Sequence, residues 1–331
     1  MTRQNREARI EALIDILADG HFHSGATLAE RLGVSRTAVN QYVAALEGYG
    51  LDVFRIPGRG YQLAKVLQPL DVTKITAGLT QIFQGEAPNV IVQRVVGSSN
   101  DVLRQLLSPT TPAGTTVLAE AQTSGRGRRG KVWHSPYGAS LYLSVYWPLE
   151  QGIGAAMGLS VVVGIAIARS LQQAGIADVE LKWPNDVYVQ GKKLAGILVE
   201  LEGQSAGYAH AIIGIGINVE LGQVAEQIDQ AWIDLSQATA APVDRNEWAV
   251  TFLSEIYQQL LAYEKFGLAP LRADWQRFDR FYQHPVAIIT AQQTRTGIAF
   301  GIDDQGGLIV EIDGVKQVIY GGEVSLRPAQ E

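Results

Sequence analysis

The spacing of apolar residues changes period several times along the chain. Ile10, Leu13, Ile14 and Leu17 recur at three and four residues, the spacing of one helix face. Gly20 ends that helix, and Ser24–Leu32 forms a second, shorter one. Gly33 supplies a tight turn, and Ser35 caps a third helix running to about Tyr49. Leu51–Ile56 and Gly60–Leu63 then alternate as strands around the turn Pro57-Gly58-Arg59-Gly60. Residues 67–88 read as a linker holding one short helix, Thr73–Ile82. Beyond it, Val90–Val96, Thr115–Gln122 and Leu141–Trp147 read as strands, and Gly154–Gln173 as a long apolar helix. Val179–Val189 splits into two strand halves at Pro184-Asn185-Asp186. Lys193–Glu200 and Ala211–Val219 complete a sheet, and Asn246–Phe266 and Leu271–Phe281 return to helical spacing. Short strands follow at Val286–Ile289, Gln292–Gly301, Leu308–Ile312 and Val315–Tyr320, separated by Asp/Gly turns. The expected fold is α+β and multidomain. A winged helix-turn-helix over 1–66 and the 67–88 linker precede a mixed α/β domain over 89–277, with helices packed on a β-sheet. A small β-barrel over 278–331 ends the chain.

Composition narrows this reading. At 331 residues with 47% apolar and 18% charged residues, the chain can bury sizeable cores. The net charge of −6 excludes a protein that binds nucleic acid by bulk charge alone. Residues 1–66 are different, with eight Lys/Arg against seven Asp/Glu, so a DNA contact there would rest on placed side chains. The absence of cysteine excludes disulfides, thiolate metal sites and a cysteine nucleophile. The five histidines show no metal-ligand spacing. The uncharged stretch 153–168 is short of a membrane span of roughly 20 residues and fits a helix buried against a sheet. No signal-peptide core precedes the first helix, which fits a cytoplasmic protein with no membrane partner.

Two regions carry candidate chemistry. The first turns of the third helix offer Ser35, Arg36, Thr37, Asn40 and Gln41, and the wing offers Arg59, all able to reach base edges or phosphates. A protein-contact module is the other reading of the same helices. In the α/β domain, Gly125-Arg126-Gly127-Arg128-Arg129-Gly130 combines bare backbone with forked cationic donors. It lacks the Gly-Lys-Ser/Thr ending of a Walker loop. A strand ending in Gln122 delivers it, which argues for a fixed anion cradle, although the three glycines suggest a loop that orders only on its ligand. A hydroxyl-rich turn, Ser98-Ser99-Asn100, opens a helix before it, and Lys193 stands at the mouth of an apolar strand after it. Gly214 and Gly216 would let a ligand approach the sheet.

Gly-Arg-Gly-Arg-Arg-Gly, Lys-Trp-Pro-Asn-Asp, Lys-Leu-Ala-Gly-Ile-Leu-Val-Glu and Gly-Ile-Gly-Ile-Asn-Val occur here in that order. Together they resemble the biotin protein ligases, and with the winged helix in front the type that doubles as biotin-operon repressor. The resemblance covers nearly all of the chain. It implies an SH3-like C-terminal barrel and a two-step reaction. Biotin and ATP, with Mg²⁺, give biotinyl-5′-AMP, and a lysine of the biotin carboxyl carrier protein of acetyl-CoA carboxylase then takes the biotin. It implies Ser98, Ser99, Asn100, Gln122, Gly125, Arg126, Gly127, Arg128 and Lys193 as biotin-binding, and Arg128, Asn218 and Trp232 as adenylate-binding. Arg128, Lys193 and Asp186 take the catalytic roles, with Asp186 also the candidate Mg²⁺ ligand. Biotin operator DNA would be a second partner, read by a homodimer formed when the adenylate is bound. Where the family usually has Ser-Thr-Asn, this chain has Ser98-Ser99-Asn100, which keeps the hydroxyl and loses a methyl, a change under about 1 kcal/mol. A lipoate or other acyl ligase, and a non-enzymatic ligand-sensing regulator, are the alternatives.

Overall fold

The computed structural model describes residues 3–84, 86–149, 156, 158–203, 209–222, 228–290, 293–320 and 325–328. Three helices open the chain: α1 (Arg3–Leu17), α2 (Gly25–Leu32) and α3 (Arg36–Leu46). Ser24 and Ser35 cap α2 and α3 by accepting from the Thr27 and Ala38 amides. Between them Gly33 adopts φ 61°, the left-handed conformation that ends α2 and makes the turn short. The wing is β1 (Val53–Ile56) paired antiparallel with β2 (Gly60–Leu63). Leu13, Ile14, Leu17, Leu28, Val39, Val43 and Leu46 are wholly buried between the helices, as the apolar spacing requires.

The expected linker helix is α4 (Val72–Ile82), capped by Asp71. It is not a loose tether. Ile75 and Leu79 are wholly buried in the central core, each contributing about 1.5–3 kcal/mol by removal from water. Then come β3 (Val90–Val96), α5 (Ser99–Leu106), β4 (Thr116–Gln122), β5 (Ser140–Leu149), α6 (Leu159–Gln173), β6 (Val179–Lys182), β7 (Asp186–Val189), β8 (Lys192–Gly203) and β9 (Ala209–Asn218). The first residues of the expected helix, 154, 155 and 157, lie outside the described ones. The sheet order is β3-β4-β5-β9-β8-β7-β6, with only β3 and β4 parallel. One face is a continuous apolar core under α6, which is buried along nearly its whole length. Among the described residues no helix is long and apolar enough to cross a membrane. A one-turn helix α7 (Leu235–Ala238), the long α8 (Arg245–Phe266) and α9 (Arg272–Phe278) finish this unit. The C-terminal strands β10 (Pro285–Ile289), β11 (Thr294–Ile302), β12 (Leu308–Ile312), β13 (Val315–Ile319) and β14 (Ser325–Pro328) form an antiparallel sheet ordered β13-β12-β11-β10-β14. Gln292, the expected start of the second of these strands, is outside the described residues.

One buried ion pair stitches the units together. Glu120 of β4 is fully buried, and Arg245, the first residue of α8, donates to it at 2.7 Å. The same guanidinium donates to the Gln68 and Ser140 carbonyls, and the Leu70 amide donates to Glu120 at 2.5 Å. Arg94 of β3 lies 3.6 Å from Glu120 and 2.9 Å from Asp15 of α1, and the Tyr137 amide donates to the Tyr49 carbonyl. The helix domain is therefore docked on β3 and β4.

Breaking a buried pair strands a charge. Arg245→Met should lower the unfolding free energy by about 3–5 kcal/mol, and Arg245→Met combined with Glu120→Gln should cost less than the single change. Chemical denaturation of the two variants checks this. A second expectation concerns Asp279, which follows α9 and accepts from the Phe281 amide and the Trp275 indole. Burial outweighs these hydrogen bonds and pushes its carboxyl up to about 6. A raised acid stabilises the fold while protonated, and this contribution disappears as pH rises through 6. Asp279→Asn should therefore gain melting temperature relative to the parent at about pH 7.5 and gain less at about pH 4.

Candidate active site

The pleat decides which residues meet a ligand. Along β5, Leu141, Leu143, Val145, Trp147 and Leu149 face the core. Ser140, Tyr142, Ser144 and Tyr146 therefore face the other way. On β9 the outward set is Ile212, Gly214, Gly216 and Asn218, and Gly196 of β8 pairs directly with Gly216. A cavity of about 540 Å³ sits on this face. Ser98, Ser99, Asn100, Gln122, Arg126, Gly127, Arg128, Asp186 and Lys193 all line it, so most of the candidates from the sequence converge. Gly125 borders the adjoining cavity instead.

At one end the polar frame is already assembled. The Ser99 amide and hydroxyl both donate to Gln122 Oε1, at 2.9 and 3.0 Å. Gln122 Nε2 donates to Ser135 Oγ, which in turn donates to the Trp133 carbonyl. Ser144 Oγ is 2.8 Å from Ser99 Oγ and 2.5 Å from Asn100 Oδ1, and Asn100 Nδ2 donates to Glu200. Ser99 thus uses its hydroxyl within the frame, which a serine does as well as a threonine. Ser98 is the N-cap residue of α5, yet its hydroxyl makes no capping bond, leaving it for a ligand in the cavity.

The two glycines of β9 have protein neighbours. A Cβ on Gly214 would lie 2.6 Å from the Asn100 amide, and one on Gly216 would fall inside the Trp133 indole. A Cβ on Gly196 would reach the same ring at 3.0 Å. Glycine at these positions makes a flat floor that Asn100 and Trp133 lie against.

At the other end the cavity is cationic. Lys193 Nζ lies 2.8 Å from Asp186 Oδ1, an ion pair angled off the line of a hydrogen bond, and 5.6 Å over the Trp133 ring. Arg128 donates to Asn185 Oδ1 at 3.1 Å, while Asn185 Nδ2 donates to the Ile197 carbonyl. Burial lowers the Arg128 pKa below its ordinary value, with Asp186 opposing. Lys182 is also pulled down by burial, against the pull of Asp186. Arg327 joins from β14, and Trp183 donates to the Gly306 carbonyl, so the C-terminal sheet closes this end. Among the described lining residues Asp186 is the only carboxylate facing several cations, and no group of three metal-ligating side chains exists among the described residues. A lone carboxylate suits a Mg²⁺ that takes most of its shell from phosphate oxygens and water.

Two of the expected residues, Asn218 and Trp232, are not among those lining this cavity. Asn218 donates to the Ile233 and Lys193 carbonyls, pinning the strand end. Trp232 bridges to Lys193 through backbone, half-buried. Conversely, Trp133, Lys182 and Arg327 line the cavity without having been assigned roles from the sequence. Trp133 follows the glycine-arginine motif and Lys182 is the first residue of Lys-Trp-Pro-Asn-Asp, whereas nothing local marks Arg327.

In the helix domain Arg36, Thr37 and Gln41 are exposed on α3. Ser35 is occupied as a cap, Asn40 accepts from the Tyr61 hydroxyl, and Arg59 lies 4.3 Å over the Phe22 ring.

A polar pocket leading to a cationic end, walled by a glycine-arginine loop and joined to a winged helix, suits a protein that binds a small molecule carrying an acid group and also has a helix-turn-helix domain. The profile of the Biotin/lipoate A/B protein ligase family matches residues 92–218, an HTH domain profile matches 9–62, and the Biotin protein ligase C terminal domain matches 284–327. The Bifunctional ligase/repressor BirA of Salmonella typhimurium is 44% identical over 96% of this chain and 97% of its own length. The corresponding Escherichia coli protein is 43% identical, with the same shares covered. A solved Biotin protein ligase from Aquifex aeolicus in complex with biotin and ATP covers 73% of this chain and 99% of its own, at 28% identity and TM-score 0.63. The chain belongs to the biotin protein ligase family, of the bifunctional ligase/repressor type.

The floor gives a direct test. Gly216→Ala should displace the Trp133 indole and weaken ligand binding at least about tenfold while the fold survives, since overpacking of this size costs about 1–3 kcal/mol. Biotin titration by calorimetry, with the melting temperature as control, reads both.

Proposed function

We propose that the chain is an ATP-dependent biotin protein ligase. It makes biotinyl-5′-AMP in this cavity and transfers biotin to a lysine of the biotin carboxyl carrier protein of acetyl-CoA carboxylase. The observation that carries this is the pairing of Lys193 and Arg128 at one end of a pocket whose other end is the Ser98–Ser99–Gln122 frame. A polar ring system held by the frame directs its carboxylate toward the cations. There the carboxylate attacks the α-phosphate of ATP, the mixed anhydride forms and pyrophosphate leaves. Two anions must approach, and fixed cations in a partly buried site stabilise the charge that develops. Lys193 is held ready by Asp186, and Arg128 by Asn185. Mg²⁺ held at Asp186 would supply further charge compensation on the phosphates. In the second step the carrier lysine's amine attacks the anhydride carbonyl, AMP leaves, and the amine loses its proton. No enzyme nucleophile is needed, in keeping with a chain that has no cysteine.

The winged helix makes the protein also a biotin-operon repressor. Arg36, Thr37 and Gln41 are the exposed donors on α3, with Ser35, Asn40 and Arg59 beside them. A homodimer formed on the adenylate would present two such helices to an operator with two half-sites, in the cytoplasm.

Labelling of a carrier-protein lysine with biotin and ATP tests the enzyme. Lys193→Ala should reduce adenylate formation by about 10²–10³-fold. Arg128→Ala should form adenylate but release it early. Absence of labelling by the parent protein at saturating substrates, or labelling with lipoate in preference to biotin, would overturn the reading. For the repressor, a biotin-operon promoter fragment should shift only with biotin and ATP present. Gln41→Ala should weaken that shift by roughly tenfold, the size of one lost base contact.

A further inference from the structure

Arg126 and Arg128 lie two residues apart and point to different partners. Arg128 reaches the turn between β6 and β7 through Asn185. Arg126 turns toward α5, where its two terminal nitrogens each donate at 2.7 Å to the two oxygens of Asp101. Asp101 stands in the first turn of α5, where the helix N-terminus favours a carboxylate. The pair is part of a larger network. Arg104 donates to Asp101 at 2.6 Å and to Glu200 at 3.0 Å, and also pairs with Glu202. Glu200 lies 3.4 Å from Arg126 and accepts from Asn100. Three carboxylates therefore surround two guanidinium groups.

The charge on Arg126 is already met by Asp101 and Glu200, so it is poorly suited to a phosphate. The pairing also holds the Asp101 carboxyl below its ordinary range, the hydrogen bonds from Arg126 being the largest cause. Backbone bonds from the Thr123 and Ser124 amides to the Val96 and Gly97 carbonyls tie the base of the loop, and Gly127 amide to Lys131 carbonyl and Trp133 amide to Gly125 carbonyl fix its shape, but these do not set the seat of its tip over the cavity. Side-chain anchors must fix the seat. Arg126 supplies one on the α5 side and Arg128 one on the opposite side.

We propose that Asp101 is a positioning residue for the known reaction: its fork with Arg126 latches the glycine-arginine loop over the cavity and sets how long the adenylate stays enclosed. This rests on the ligase reading above. Asp101 is not among the residues lining the cavity, so its loss should leave the making of adenylate alone and change its escape.

The test separates those steps in the full-length protein. Adenylate formation is read as pyrophosphate released in a single turnover, and escape as loss of labelled biotinyl-5′-AMP from preloaded protein into excess unlabelled ligand. Asp101→Asn should leave formation within about twofold and speed escape about tenfold, the size expected for a bidentate but partly exposed pair. Raising the salt concentration should speed escape from the parent and have little further effect in the variant. Asp101→Glu should restore most of the retention. Independently of any chemistry, trypsin should nick the ligand-free loop at Arg128 or Arg129 about tenfold faster in Asp101→Asn at unchanged melting temperature. Unchanged escape together with unchanged nicking overturns the latch. If the parent protein forms no adenylate, the ligase reading fails and the latch with it. If Asp101→Asn slows formation instead of speeding escape, Asp101 acts in the chemistry and the latch is again overturned.

Discussion

The site depends on one constraint, the two-residue period of the strands in the central sheet. Successive side chains on β5, β8 and β9 must point to opposite faces. Once the odd positions of β5 and β9 are committed to the core under α6, the even positions are committed to the ligand face. That face holds serines and tyrosines on β5 and glycines on β9 and β8. A single-residue slip in register would bring isoleucines to the floor and strand Ser144 in the core. The ten-residue ladder between β5 and β9 makes such a slip costly. The chemistry is thus placed by backbone geometry before any functional side chain is considered.

Two arrangements then act in sequence on that floor. Glycines at 196, 214 and 216 allow Trp133 and Asn100 to lie flat against the sheet. Asn100 there meets Ser144, and the chain of hydrogen bonds runs on through Ser99, Gln122 and Ser135 to the Trp133 carbonyl. The frame links α5, β4, β5 and the segment after the loop. A connected network of this kind resists distortion more than its separate bonds would. The cationic end is built differently. Its members come from β6, β7, β8, the glycine-arginine loop and β14, and are held by pairwise contacts such as Lys193 with Asp186 and Arg128 with Asn185. A rigid polar end and a looser charged end suit a site that must recognise one small molecule and accommodate phosphate groups during reaction.

Most of this was legible in the chain. The helix cap at Ser35, the turn at Gly33 and the glycine-arginine loop announce themselves through local chemistry. The convergence of Ser98, Ser99, Gln122, Lys193 and Asp186 was implied by the resemblance of the ordered motifs, and the cavity brings all five together. What was not legible arises from contacts distant in sequence. Arg327 reaches the cavity only because the C-terminal sheet is bound to Trp183 through Gly306, 123 residues apart in sequence. The linker helix α4 looked like a connector because its own sequence is mixed, but Ile75 and Leu79 are covered by α8 and the central core. The glycines of β9 signalled a close approach without saying of what. Their nearest neighbours are an indole and an amide of the same chain.

The helix domain docks on the ends of the strands that also wall the pocket. Ala121 is buried with the core of the three helices, while its neighbour Gln122 belongs to the polar frame. On the adjacent strand, Val95 packs against the helix domain and Val96 packs with Ala119 and Tyr142. The wall of the pocket and the seat of the helix domain are therefore built from neighbouring residues at the ends of β3 and β4. Glu120, between Ala119 and Ala121, is where these strands are tied to α8 through Arg245 and to the 67–71 segment through the Leu70 amide. Packing at native density leaves little room for either face to move alone. Any shift of β4 that admits a ligand at Gln122 must be carried through Ala121 into the helix-domain core, or be resisted by the Glu120–Arg245 pair.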